Sequence, residues 1–177
     1  MHEPTDPATD PDADPESVAR TILLRQLTDR SRSRAELATA LRKKQVPDDV
    51  ATRLLDRFTE VGLIDDEAFA RSWVESRQRS KGLAQRALAM ELRHKGVDDD
   101  IARSVLAEIE PDDERQAAAR LVRRKLHSVR GVPEPARTRR LMGMLARRGY
   151  SSGLALSVVR EELGADEAWQ SEMDSSL

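Results

Sequence analysis

Cysteine is absent from this chain of 177 residues. Disulfides, thiolate metal sites and a cysteine nucleophile are therefore excluded. Aromatic residues are scarce: two Trp, one Tyr and two Phe make up 3% of the chain. Any core must be assembled from Leu, Val, Ile and Ala, which favours several thin cores over one deep one. No apolar run approaches the ~20 residues needed to cross a bilayer, and Met1 to Glu16 holds no apolar leader segment. The expectation is a cytoplasmic protein with no membrane association. A phosphate-cradling glycine-rich loop and a serine nucleophile elbow are both missing. No enzyme activity and no cofactor are expected. His94 and His127 lack a second ligand at metal-binding spacing, so no metal site is expected either. Asp98-Asp99-Asp100 lacks the EF-hand loop pattern and sits where a helix should begin.

Charge, by contrast, is abundant: 35% of residues are Asp, Glu, Lys or Arg. The formal net charge of −2 conceals a strong polarity. Residues 1–17 carry six acids and no Lys or Arg, and residues 161–177 do the same. All 30 basic residues lie between, against 20 acids. A basic body of this kind points to a polyanionic partner.

Residues 1–17 mix Pro, Asp and Thr with almost nothing apolar, and read as a disordered acidic tail. Residues 165–177 read as a second acidic tail of similar character. Between them the pattern is helical. Val50, Leu54, Phe58 and Val61 share one helical face, as do Ile101, Val105 and Ile109. Pro47, Gly62, Gly82, Gly96, Pro111, Pro133 and Gly149 supply the breaks, and Ser33 with Glu36 forms a capping-box pair.

Internal repetition then fixes the plan. Leu37-x3-Leu41-RKKQV-PDD-Val50-Ala51 aligns without gaps with Leu88-x3-Leu92-RHKGV-DDD-Ile101-Ala102. Leu141-x3-Leu145-ARRGY-SSG-Leu154-Ala155 is the third copy. Each is a basic helix, a tight turn and a second helix, with a further helix expected ahead at about 18–29, 66–80 and 112–128. The expected fold is all-α: three helix-turn-helix-like repeats at 18–64, 65–110 and 111–164, in an elongated, curved array. The turn departs from pattern in the first repeat, where Gln45 stands in place of Gly96 and Gly149.

The central repeat carries a more specific signal. Gly62-Leu-Ile-Asp-Asp-Glu-Ala-Phe69-Ala-Arg-Ser-Trp73-Val-Glu-Ser-Arg77, followed by Gly82, Leu88, Leu92 and Lys95-Gly96-Val97, resembles the signature of the RecX family. The resemblance covers about residues 18–163. It implies a non-catalytic regulator of the RecA recombinase that lies on the RecA–single-stranded-DNA filament. Damped ATP hydrolysis, strand exchange and SOS co-protease activity would follow, in DNA repair and homologous recombination.

Residues 115–148 hold eleven basic residues and one acid, Glu134. Arg123, Arg124 and Lys125 on one helix, with Arg137, Arg139, Arg140, Arg147 and Arg148 on the next, are the principal candidates for partner or DNA contact. Arg71, Arg77, Arg79, Lys81, Arg86, Arg93 and Lys95 form a second candidate patch. Trp73 and Tyr150 sit at packing positions, although Trp73 has the chemistry to stack on a base. Weak direct DNA binding is compatible with these charges, and a monomer is expected. The alternative is a helix-turn-helix DNA-binding regulator. Against it, residues 98–110, the stretch that would enter the major groove, carry five acids and one Arg.

Overall fold

The computed structural model describes residues 14–175, and side chains as far as Glu172. Nine α-helices occur among the described residues: α1 (Pro15–Asp29), α2 (Arg34–Lys43), α3 (Asp48–Glu60), α4 (Asp66–Lys81), α5 (Gln85–His94), α6 (Asp99–Ala107), α7 (Pro111–Leu126), α8 (Glu134–Arg147) and α9 (Ser152–Ser175). A single 3-10 turn, His127–Val129, follows α7. The fold is all-α, three tandem three-helix repeats, as the periodicity predicts.

Helix ends are set by local chemistry. Ser33 caps α2 by accepting from the Glu36 N–H while the Glu36 carboxylate accepts from the Ser33 N–H, the capping box read from the sequence. The Asp98 carboxylate accepts from the Asp100 N–H at the start of α6. The middle helices α2, α5 and α8 all end alike, with crossed bonds that close a Schellman turn. Val46 N–H reaches the Leu41 carbonyl, Val97 the Leu92 carbonyl and Tyr150 the Leu145 carbonyl. The residue before each is left-handed: Gln45 at φ +59°, Gly96 at +71° and Gly149 at +88°. The first repeat therefore makes the same turn as the others despite its glutamine.

The chain divides into two compact units, and the division runs through the middle repeat. One unit comprises the chain up to Trp73 with Glu91–Arg103; the other comprises Val74–Met90 with the chain from Ser104 on. The first buries Leu23, Leu37, Leu41, Leu54, Leu55 and Phe58 in one cluster. The second buries Val122, Leu126, Leu141, Leu145, Val158 and Val159, with Tyr150 beside them. Each fully buried aliphatic side chain of these aromatic-poor clusters contributes roughly 1.5–3 kcal/mol.

Each unit contains one junction between successive repeats, and the two junctions use equivalent positions. In the first unit the Ser33 hydroxyl donates to the Lys95 carbonyl at 2.5 Å, and the Arg34 N–H donates to the Asp66 carboxylate at 2.7 Å. In the second the Ala84 N–H donates to the Arg148 carbonyl at 2.9 Å, and the Gln85 N–H donates to the Glu114 carboxylate at 2.9 Å. An acid on the first helix of one repeat thus caps the middle helix of the repeat before it. Gly96 lies against Ala35, and Gly149 against the backbone of Ala87, so close that a Cβ at either site would overlap its neighbour. Gln45, in the first of the three repeats, is the one non-glycine residue with positive φ among the described residues.

Both tails need correction where they are described. α1 begins at Pro15 with Asp14 as its cap, so its first turn takes up the last residues assigned to the acidic tail. The rest of that tail, 1–13, lies outside the described residues. The C-terminal segment expected to form the second tail continues α9 to Ser175 instead. Its acids have distant partners: Asp166 pairs with Arg130 at 3.0 Å and Glu167 with Arg137 at 2.7 Å.

Candidate functional site

The basic stretch 115–148 is built into α7, the 3-10 turn and α8, whose apolar faces pack with α9 in the second unit. Counting acids within that stretch underestimates its neutralisation, because α9 brings four carboxylates across from outside it. Arg115 pairs with Glu161, and Arg123 with Glu162 through two 2.7 Å hydrogen bonds. Hydrogen bonding to Glu162 and its negative charge raise the Arg123 pKa above the ordinary guanidinium value. Arg130 and Arg137 take Asp166 and Glu167. Of the principal candidates, Arg123 and Arg137 are thus already occupied within the chain.

The other six diverge from them. Lys125, Arg139, Arg140, Arg147 and Arg148 line one cleft of about 430 Å³, with Gly143 and Met144 at its base and no acid in its wall. Arg139, Gly143 and Arg147 recur every four residues, which stacks them along one face of α8. Arg148 is anchored by its Nε, which donates to the Lys81 carbonyl at 3.0 Å. Arg124 lines a neighbouring cleft of about 520 Å³ with Arg79, Arg120 and Arg123. Among the described residues, Lys125, Arg139, Arg140 and Arg147 form no ion pair, and all four are exposed. Such a cluster attracts phosphates or a carboxylate-rich surface, with affinity that falls as salt rises.

The second candidate patch is distributed differently. Arg71 pairs with Glu67, and Arg79 with Glu75, each one helical turn away on α4. Arg93 meets Asp99 at 3.3 Å. Arg77 is half-buried, whereas Lys81 and Arg86 are exposed. Lys95 is structural: its ammonium bonds the Glu36 carboxylate at 2.7 Å and lies 4.6 Å from the centre of the Trp73 ring. Trp73 stacks on Phe69, and its indole N–H donates to Glu91 at 2.8 Å. Trp73 is therefore half-buried in a polar network rather than a free stacking platform. Burial pushes the Glu36 carboxyl up, but Lys95, the Ser33 N–H and Arg30 outweigh it and hold the group below its ordinary value. At Asp66 burial prevails over the Arg34 N–H, and the pKa is raised. Tyr150 is buried, donates its hydroxyl proton to the Gly82 carbonyl at 2.9 Å, and is pushed up to about 12 by that burial.

No group of His, Cys, Asp and Glu that could hold a metal ion occurs among the described residues. No helix among them is long and apolar enough to cross a membrane. The chain is a helical-repeat protein of three tandem three-helix units, with a cationic cleft formed by residues of the last unit.

Comparison with known proteins gives the family. The chain matches the models of the first, second and third three-helix domains of RecX at residues 19–58, 65–106 and 112–159. It is 55% identical over 148 residues to the regulatory protein RecX of Thermobifida fusca, covering 84% of this chain and 80% of that one. It is 56% identical over 152 residues to the regulatory protein RecX of Mycolicibacterium smegmatis, covering 84% and 81%. The crystal structure of RecX from Lactobacillus salivarius superposes with a TM-score of 0.79 at 20% identity, over 85% of this chain and 97% of that one, a likeness of fold. The chain belongs to the RecX family of regulatory proteins, whose role is consistent with modulation of RecA.

Proposed function

We propose that this chain binds the RecA filament on single-stranded DNA and inhibits its ATP hydrolysis, strand exchange and SOS co-protease activity. In this reading a cytoplasmic monomer meets the filament through the cleft of Lys125, Arg139, Arg140, Arg147 and Arg148. The observation that carries it is that cleft: five cations converge there with no acid in the wall. Phosphates of the bound strand, or the acidic wall of the filament groove, supply the missing charge. Arg115, Arg123, Arg130 and Arg137, by contrast, are paired with carboxylates of α9.

Base readout by a helix-turn-helix has less support. α6 opens on Asp99 and Asp100, and its Arg103 is paired with Asp100, so it offers phosphates and base edges little positive charge.

The test is DNA-dependent ATP hydrolysis by the cognate RecA, with this protein titrated below stoichiometry. Inhibition is expected from the wild type and lost in a variant with Arg124, Lys125, Arg139 and Arg140 changed to Glu. Arg123→Ala should still inhibit, because that side chain is engaged by Glu162. Absence of inhibition by the wild type at every ratio would overturn the reading.

A further inference from the structure

Beside the five-cation cleft lies a second groove in the same unit, with different chemistry. It has a volume of about 610 Å³ and runs between the first turns of α5 and the outer face of α8. Its apolar lining includes Ala87, Met90, Met142, Gly143 and Ala146. Arg86, Arg139 and Arg147 stand in its wall, exposed and in no ion pair among the described residues. No acidic residue lines it.

Three observations bear on what fits. Met90 is 63% exposed, an unbranched thioether side chain presented to solvent where a charged residue would carry no desolvation cost. Gly143 is the second. It sits in the middle of α8, where glycine destabilises a helix relative to alanine, and its backbone is not left-handed. A Cβ there would meet only the mobile end of Arg147 at 3.3 Å, so packing does not demand glycine. A bare helix backbone in the lining of a groove lets another chain approach closely. Third, the groove offers no aromatic face: Tyr150, its one ring, is 4% exposed. Nucleobases take their binding energy from such faces.

We propose that this groove is a docking site for an acidic protein segment that carries apolar side chains. Aliphatic groups of the segment rest on Met90, Met142 and Gly143, and its flanking carboxylates meet Arg86, Arg139 and Arg147. The site shares Arg139, Gly143 and Arg147 with the five-cation cleft, so the two ligands lie side by side. The proposal does not require the filament reading to hold.

Fluorescence anisotropy with the full chain tests it. The probe is a short labelled peptide with a Leu-Leu pair between runs of Asp and Glu. Controls are the same peptide with Ser-Ser, and an oligothymidine. The leucine peptide should bind at least about 10-fold more tightly than the serine peptide, from burial of the two side chains. Met90→Asp and Gly143→Leu should each weaken the leucine peptide by about 10-fold or more. Leucine is the better helix former, so an unchanged far-UV spectrum with a thermal midpoint at or above that of the wild type would show that Gly143→Leu folds. Arg140→Glu, outside the groove, should leave the peptide unaffected while weakening the oligothymidine. Equal binding of the two peptides, or wild-type affinity in Gly143→Leu, would overturn the proposal. So would loss of oligothymidine but not of peptide in Met90→Asp, which would assign the groove to nucleic acid.

Discussion

Replacing the turn glycines tests the repeat junctions directly, because the molecule contains its own control. Gly62 and Gly149 both have positive φ, +76° and +88°. A Cβ at Gly62 has nothing within 4 Å, whereas one at Gly149 would sit 2.6 Å from the Ala87 nitrogen and 2.8 Å from its Cβ. Gly62→Ala therefore incurs the left-handed backbone penalty alone, about 1–2 kcal/mol. Gly149→Ala incurs the same penalty plus displacement of a backbone, for which overpacking data suggest a further ~1–3 kcal/mol. The Ala84 N–H bond to the Arg148 carbonyl lies beside that overlap, so it should weaken as well. Gln45→Gly should run the other way. It relieves about 1 kcal/mol of left-handed strain, partly offset by the greater freedom glycine gives the unfolded chain. Equilibrium urea unfolding of the three variants, followed by far-UV circular dichroism, measures all of these. The expected order of stability is Gln45→Gly, wild type, Gly62→Ala, Gly149→Ala. Equal losses from Gly62→Ala and Gly149→Ala would refute the idea that close approach of the preceding repeat dictates glycine.

The first junction also predicts an acid response with two opposed parts. Glu36 has a folded pKa below its ordinary value, so its contribution to stability is present above that value and is lost as pH falls through the depressed one. Glu36→Gln should flatten the acid limb of the stability curve. Asp66 has a raised folded pKa, so the native state loses stability as pH rises from the ordinary Asp value through the raised one. Asp66→Asn keeps an oxygen for the Arg34 N–H and should remove that loss, which thermal melts across mildly acidic pH would register. In α9, Leu163 is the last buried residue among those described, and the two described ion pairs beyond it are Arg130–Asp166 and Arg137–Glu167. Cleavage by limited proteolysis beyond Leu163 should rise with salt and in Glu167→Gln. A pair with one exposed partner is worth no more than about 1 kcal/mol, so global stability should barely change.

Much of the architecture was legible because helices announce themselves locally. Spacing of Leu, Val and Phe marks the buried faces, and Ser33, Glu36, Asp98 and the turn glycines mark the ends. The gapless register of the three repeats was legible for the same reason: each position repeats its local role. What lies opposite a face was not legible. The carboxylates of α9 have no basic residue near them in sequence after Arg160, yet they meet arginines 30 to 46 residues earlier. Arg123 and Arg137 looked equivalent to Arg139 and Arg140, because charge density along the chain does not report which side chains face an acid. Gly143 gave one signal that was overlooked: a glycine inside a helical pattern that marks no turn.

The central stretch that most resembles the RecX signature acquires a physical meaning from the junction it builds. Asp66 caps α2, Phe69 stacks on Trp73, Lys95 bonds Glu36 beside that indole, and Gly96 admits Ala35. Each of these residues is committed within the first unit. They join the second repeat to the first. The second junction keeps the acceptors at equivalent positions, the Glu114 carboxylate for Asp66 and the Arg148 carbonyl for that of Lys95, but the Ala84 N–H donates where Ser33 gives its hydroxyl. The central stretch therefore reports the scaffold, whereas the cations without an acid in reach, Lys125, Arg139, Arg140 and Arg147, become visible only when α9 is laid against α7 and α8.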